Sequence, residues 1–319
     1  MLSQITGFHI EPTNMCTLRC PRCPRTTFIE TFKPKNWDNQ NLNLDHLKQF
    51  LDIDINGLTF SLNGNYGDPI YYPNLIELIT YIKSKNGKII LHTNGSYRSI
   101  SWWQTLAEIL DENDVVNFSI DGTPENFIKY RINADWASIQ DGINVLVVKS
   151  RAYIVWKYIV FSFNEDTIEE ARFLSQQLGM DEFVLNNSDR WEENDWLTPT
   201  KHVIINEDSI KKNGSFNGNR NESIIQWKDF NNRDTDIDPI CKKINAMHFI
   251  SATGYYMPCC WVGDYRFYYK SEFYKNNDLY DISKSSISQL LDNESKLTKF
   301  YNELEETKPT YCTFNCGKL

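Results

Sequence analysis

Several features that would assign this chain to a familiar class are missing from it. No apolar run approaches the roughly 20 residues that span a bilayer. The opening MLSQITGFHI has no basic segment followed by a long apolar one, so no export signal is evident and a cytoplasmic location is expected. Basic residues are in deficit: 33 Lys and Arg stand against 42 Asp and Glu, a net charge of −9. That balance argues against a protein that grips nucleic acid through a basic face. Cysteine is absent from the whole middle of the chain. All 8 cysteines lie either before residue 24 or after residue 240, the distribution of two separate sites. Without an export signal, metal or redox chemistry explains them better than a disulfide scaffold.

The first group is the most informative. Cys16, Cys20 and Cys23 stand in CTLRCPRC, directly after the short apolar run GFHI. Cys-x3-Cys-x2-Cys on a loop leaving a first strand gives three thiolates to a centre that ordinarily takes four ligands. An iron–sulfur cluster so held keeps one iron open; a zinc site completed from elsewhere, or three buried thiols, are the alternatives that spacing alone allows.

From residue 5 to about 186 the chain alternates. GFHI, LTFSL, KIILHTN, VVNFSI, YIVWKYIVFS and EFVL read as strands. LDHLKQFLDI, PNLIELITYIKS, WWQTLAEIL, WASIQDGINVLVV and TIEEARFLSQQLG place apolar residues three and four apart and read as helices. Asp166-Thr167 marks a helix start and Gly179 a helix stop. Repeated strand–helix–strand units imply parallel strands with right-handed crossovers, in a doubly wound sheet or a full or partial barrel. In either, functional residues gather on loops beyond the C-terminal ends of the strands. Residues 187–240 are rich in Asn and Gly and read as linker or substrate-facing loops, with Trp191, Trp196 and Trp227 as anchors to the main domain. Residues 241–319 open with a hairpin-like unit, continue in the helical stretch SSISQLLDNESKLTKFYNEL and end in a cysteine-bearing tail.

Further motifs follow the strands. NGNYGDP comes after LTFSL, where Gly64, Gly67, Asp68 and Pro69 make a tight turn that lets backbone approach a ligand. The third strand ends in HTNG and the fourth in SIDG, followed by Tyr130-Arg131. In this order and position the motifs resemble those of the radical S-adenosylmethionine (SAM) enzymes, over nearly the whole chain. The resemblance implies an α/β fold, a partial (β/α)6 TIM-like barrel over residues 1–186. Within it Cys16, Cys20 and Cys23 would hold a 4Fe–4S cluster, and SAM would chelate the fourth iron. It further implies that Gly67 and Asp68 receive the methionine ammonium. Asn94, Ser119 and Asp121 would meet the other polar groups of SAM, and Arg131 its carboxylate. A flavodoxin or ferredoxin would donate the electron. Two positions depart from the family: Arg22 stands where an aromatic is usual, and Asp68 where Glu is commoner.

The later pattern, Cys241-x12-Gly254-x4-Cys259-Cys260 and then Cys312-x3-Cys316, resembles the opening of the SPASM and twitch auxiliary-cluster domains. Five cysteines suit one auxiliary cluster, expected to be of the 4Fe–4S type, or a zinc ribbon. Neighbouring side chains of an extended segment point to opposite faces, so Cys259 is expected to join Cys241, Cys312 and Cys316 as a ligand, with Cys260 an apolar filler. The reaction expected is hydrogen abstraction from a peptide or protein side chain, for oxidation or crosslinking. Because the first motif begins at residue 16, with no N-terminal leader-binding domain ahead of it, dehydrogenation or epimerisation of a small molecule such as a sugar or aminocyclitol is the alternative. A non-catalytic metal-binding module is the alternative of another class.

Overall fold

The computed structural model describes residues 5–32, 39–188, 195–201, 237, 247–263 and 278–292, together with isolated positions of the C-terminal tail that include Cys312 and Cys316. Cys241, Trp191 and Trp227 lie outside the described residues. Six strands, β1 (Gly7–Ile10), β2 (Thr59–Leu62), β3 (Lys88–Thr93), β4 (Val115–Ser119), β5 (Tyr153–Ile159) and β6 (Glu182–Asn186), pair in parallel in sequence order. Each coincides with an apolar run anticipated above. The helices between them are α1 (Pro24–Phe32), α2 (Leu44–Phe50), α3 (Leu75–Ser84), α4 (Ile100–Ile109), α5 (Trp136–Lys149) and α6 (Ile168–Gln177). Of these, α1 was not evident beforehand.

Local chemistry sets the helix starts. The Asn43 side chain accepts from the His46 amide, Ser99 from that of Trp102, and Asp135 from those of Ala137 and Ser138. Each satisfies donors that the first turn leaves unpaired. Gly179, at φ +75°, takes the left-handed conformation that ends α6. The helices lay Leu47, Leu75, Leu78, Ile82, Trp103, Leu106, Ile139 and Leu146 against the fully buried strand residues Phe8, Ile10, Phe60, Leu62, Ile89, Leu91, Val116 and Phe118. This apolar layer is the main core.

The hairpin of the C-terminal segment, β7 (His248–Ile250) and β8 (Tyr256–Met257), is hydrogen-bonded into the same sheet. β7 runs parallel to β1, and β8 antiparallel to β7. The strand order is therefore β6-β5-β4-β3-β2-β1-β7-β8, an open sheet that does not close into a barrel. A short helix, α7 (Ile287–Asp292), buries Ile287, Leu290 and Leu291 nearby. No helix among the described residues is long and apolar enough to cross a membrane.

Candidate active site

Parallel pairing brings the C-terminal ends of β1–β5 to one edge, and the loops leaving those ends meet there. The loop after β1 carries the three cysteines. The Cys23 amide donates to the Cys20 carbonyl at 3.1 Å, turning the chain into α1. The Arg19 amide donates to the Ile132 carbonyl at 3.1 Å. The Asn133 side chain reaches the Thr17 carbonyl at 3.2 Å, so the segment after β4 clamps the loop from the other side. Leu18 and Cys20 are buried with Tyr130, Phe161 and Leu197, and Cys16 and Cys23 pack against this group.

The loop after β2 is held against the cysteine loop. The Asp68 amide donates to the Met15 carbonyl at 2.9 Å. A Cβ on Gly67 would stand 1.9 Å from the Thr13 carbonyl oxygen, so only glycine permits this approach. Glu11, immediately after β1, accepts from the amides of Tyr66 at 2.7 Å and Gly67 at 3.4 Å. It is almost wholly buried, and burial raises its carboxyl to about 7 against the pull of those amides.

Asp68 is the hub. Its carboxylate accepts from the Thr93 hydroxyl at 2.8 Å and from both the backbone and side-chain nitrogens of Asn94 at 2.6 Å. It also caps the short turn at Ile70. Burial raises its carboxyl to about 6, those donors opposing. The Asn94 amide in turn lies 3.7 Å from Cys16 Sγ. On the other side, Arg131 Nε pairs with Asp121 Oδ2 at 2.7 Å, and Arg131 Nη1 lies 3.9 Å from Cys20 Sγ. Asp121 is fixed by the Ile159 amide at 2.8 Å. Burial raises the Asp121 carboxyl, while Arg131 counters it. Ser119, the last residue of β4, is half-buried at the same edge.

The thiols are costly as isolated anions. Burial, the Asp68 charge and the two other cysteines push Cys16 up to about 12. Burial and Cys23 push Cys20 up to about 11, with Arg131 opposing. A bound cationic centre reverses that logic, since a coordinated thiol is deprotonated. Among the described residues no three His, Cys, Asp or Glu side chains stand close enough to share one metal ion. Thiols that each meet a different iron of a cube stand wider apart. Three soft donors on one loop, with no fourth among the described residues, suit an iron–sulfur cluster.

The structure thus brings Cys16, Cys20, Cys23, Gly67, Asp68, Asn94, Ser119, Asp121 and Arg131 to one edge. Glu11 was not singled out from the sequence, where a lone carboxylate gives no signal. Arg22 pairs with Asp195 at 2.7 Å, so it ties the loop to the segment after β6. Trp196 is 56% exposed, its ring 6.2 Å from that of Phe163. Burial of the neighbouring Leu197, rather than Trp196, anchors this segment.

The late cysteines need one correction. Cys259 and Cys260 do not lie in an extended segment, and the two thiols perturb each other, lowering Cys259 and raising Cys260. The reason is local. β8 ends at Met257, and the Val262 amide closes a turn on the Cys259 carbonyl at 3.2 Å, so the backbone is not extended there. The Asn65 side chain donates to the Cys260 carbonyl at 3.0 Å, joining this turn to the loop after β2.

The sequence profile of the Radical SAM superfamily matches residues 10–174. Solved structures of similar fold include native anSMEcpe with bound AdoMet, 14% identical, with TM-score 0.54 over 98% of this chain and 89% of that one. Another is native anSMEcpe with bound AdoMet and Cp18Cys peptide, 15% identical, with TM-score 0.53 and the same coverage. A third is Streptococcus suis SuiB bound to precursor peptide SuiA, 15% identical, with TM-score 0.54 over 92% of this chain and 67% of that one. At such identities the likeness is one of fold. No curated protein sequence matches the chain. The profile match, covering half of the chain, overturns the reading as a non-catalytic metal-binding module.

Proposed function

The chain belongs to the radical SAM superfamily, and from that premise we propose that it removes a hydrogen atom from a peptide or protein side chain, for oxidation or crosslinking. Cys16, Cys20 and Cys23 would hold the 4Fe–4S cluster. The chemistry the reduced cluster would supply is the one electron that cleaves the sulfonium of SAM to methionine and a 5′-deoxyadenosyl radical, which would take the substrate hydrogen. The protein's own residues bind and aim. Gly67 brings backbone close to the SAM ammonium, and Asp68 offers a negative charge already oriented by Thr93 and Asn94. Arg131, fixed by Asp121, would meet the SAM carboxylate. Asn94 and Ser119 would supply hydrogen bonds.

One observation carries this reading: the hydrogen-bonded thread from Cys16 through Asn94 to Asp68, which ties the cysteine loop to the turn that would hold SAM. A peptide substrate is supported by the peptides in the structures of anSMEcpe and SuiB. Cys241, Cys259, Cys312 and Cys316 would hold one auxiliary cluster, and the Asn65 bond to the Cys260 carbonyl supports a position for that cluster near the loop after β2.

Anaerobic reconstitution, reduction and product analysis test the proposal. We expect about eight irons per chain, as two cubes require, and 5′-deoxyadenosine on addition of SAM. Incubation with a peptide pool should yield peptides two hydrogens lighter by mass spectrometry. Turnover confined to sugars or aminocyclitols would overturn the peptide assignment. Iron retained in Cys259→Ala but lost in Cys260→Ala would reverse the ligand choice at that turn.

A further inference from the structure

Side chains alternate along each strand, and the helices named above pack on the face of Phe8, Phe60, Leu91 and Phe118. On the other face stand His9, Ser61, His92, Asn117, Ser119 and Lys157. Register sets them in rows. His92 lies beside Asn117, Asn117 beside Val155, and Val155 beside Glu182. One step nearer the cysteine loop, Ser119 lies beside Lys157, and Lys157 beside Val184.

These groups are close enough to sense one another. Burial lowers Lys157 to about 8 against the opposing charge of Glu182, so it is still mostly protonated at neutral pH. Burial, Lys157 and His9 together hold His92 well below its ordinary value. Burial brings His9 to about 4, against its bond to the Asn63 carbonyl. Among the described residues the face therefore presents one cation, Lys157, and two neutral imidazoles, with Glu182 the carboxylate that acts on Lys157. Asn117 is fully buried, and neither its Oδ1 nor its Nδ2 has a hydrogen-bond partner. Buried carboxamides are almost always satisfied, and one left open in a polar row awaits a partner from outside the protein.

We propose that the inner face of the sheet is a substrate-binding floor that takes a carboxylate. The Lys157 ammonium is its counter-ion, and the Asn117 amide and His92 are its hydrogen-bonding neighbours. Ammonium, carboxamide and imidazole all donate, and an ionised carboxylate is acceptor-only with room for several donors. This deepens the function proposed above, and rests on it only in taking the substrate to lie between this face and the cysteine loop.

The test uses the reconstituted full chain, with Lys labelled by 13C at Cε and no SAM or reductant, so that its failure is distinct from a failure of SAM cleavage. The Lys157 signal is assigned by its loss in Lys157→Met. Three probes are titrated: N-acetylglutamate N-methylamide for a side-chain carboxylate, N-acetylalanine for a main-chain carboxylate, and the uncharged N-acetylglutamine N-methylamide. The expected result is a saturable shift of the Lys157 signal with a carboxylate probe, whose identity reports the source of the group. Asn117→Leu should weaken that binding roughly threefold to tenfold, the value of one hydrogen bond. Its melting temperature should stay level or rise, because an unpartnered amide is removed. No shift with either carboxylate, an equal shift with the glutamine probe, or a lowered melting temperature with unchanged binding would overturn the proposal.

Discussion

The two faces of the sheet are made by the same strands and do opposite things. Toward the helices, Phe8, Phe60, Leu91 and Phe118 are sealed in an apolar layer, their own side chains carrying no polar atom. Toward the interior, His9, His92, Asn117 and Lys157 keep polar groups under burial that penalises each of them. The difference teaches that stability and chemistry are separated here by a single residue of strand period, with the loops at one edge added to the chemical side.

Cys16, Cys20 and Cys23 replaced together by Ala should abolish 5′-deoxyadenosine formation while circular dichroism stays native. Persistent product in the triple variant would break the division at its strongest point. On the opposite face, Phe60→Ala should cost about 3–5 kcal/mol by urea denaturation. The activity of the remaining folded protein should be unchanged, and a small stability loss with a large activity loss would blur the two faces.

Glu11 sharpens the comparison, because it is a carboxylate of the chemical edge whose effect is read in stability. Its folded value of about 7 lies above the ordinary 4.5. Between those values the native state keeps a proton that the unfolded chain has released. The stabilisation is complete below about 4.5 and is lost as pH rises through 7, a change of about 3 kcal/mol. Glu11→Gln should flatten unfolding free energy against pH over that window, and an unaltered slope would assign the titration elsewhere. The smallest effect is expected from Asp68→Asn and Arg131→Lys. Each should weaken SAM binding roughly tenfold, the loss of a hydrogen bond to a charged group, with iron content intact. Unchanged dissociation constants in both would place them with the structural face.

What the sequence disclosed follows the range of its signals. Strands and most helices were legible because their apolar periods are local, and the cysteine loop because its spacing is compact. The helix α1 was masked by PRTTFIETF, whose apolar residues mark no clear stripe. The inner-face residues left a trace that went unread: His92 in KIILHT, Asn117 in VVNFS and Lys157 in YIVWKYI are polar intrusions into otherwise apolar strands. The turn at Cys259-Cys260 and the pairing of β7 with β1 were not legible, since both depend on partners remote in the chain.

That last pairing bears on how the protein is made. β1 leaves the ribosome ahead of the other strands of this sheet, but one of its two edges can be filled only when β7, far later in the chain, has been translated. Until then a nascent strand carrying Phe8 and Ile10 shows an open row of amides and carbonyls, the form most prone to pairing with a neighbouring chain. The strand from which the cysteine loop departs is thus made before the other described strands of the sheet and is among the last of them to be fully paired. Slow translation or chaperone cover across residues 187–247 should therefore govern the yield of intact protein.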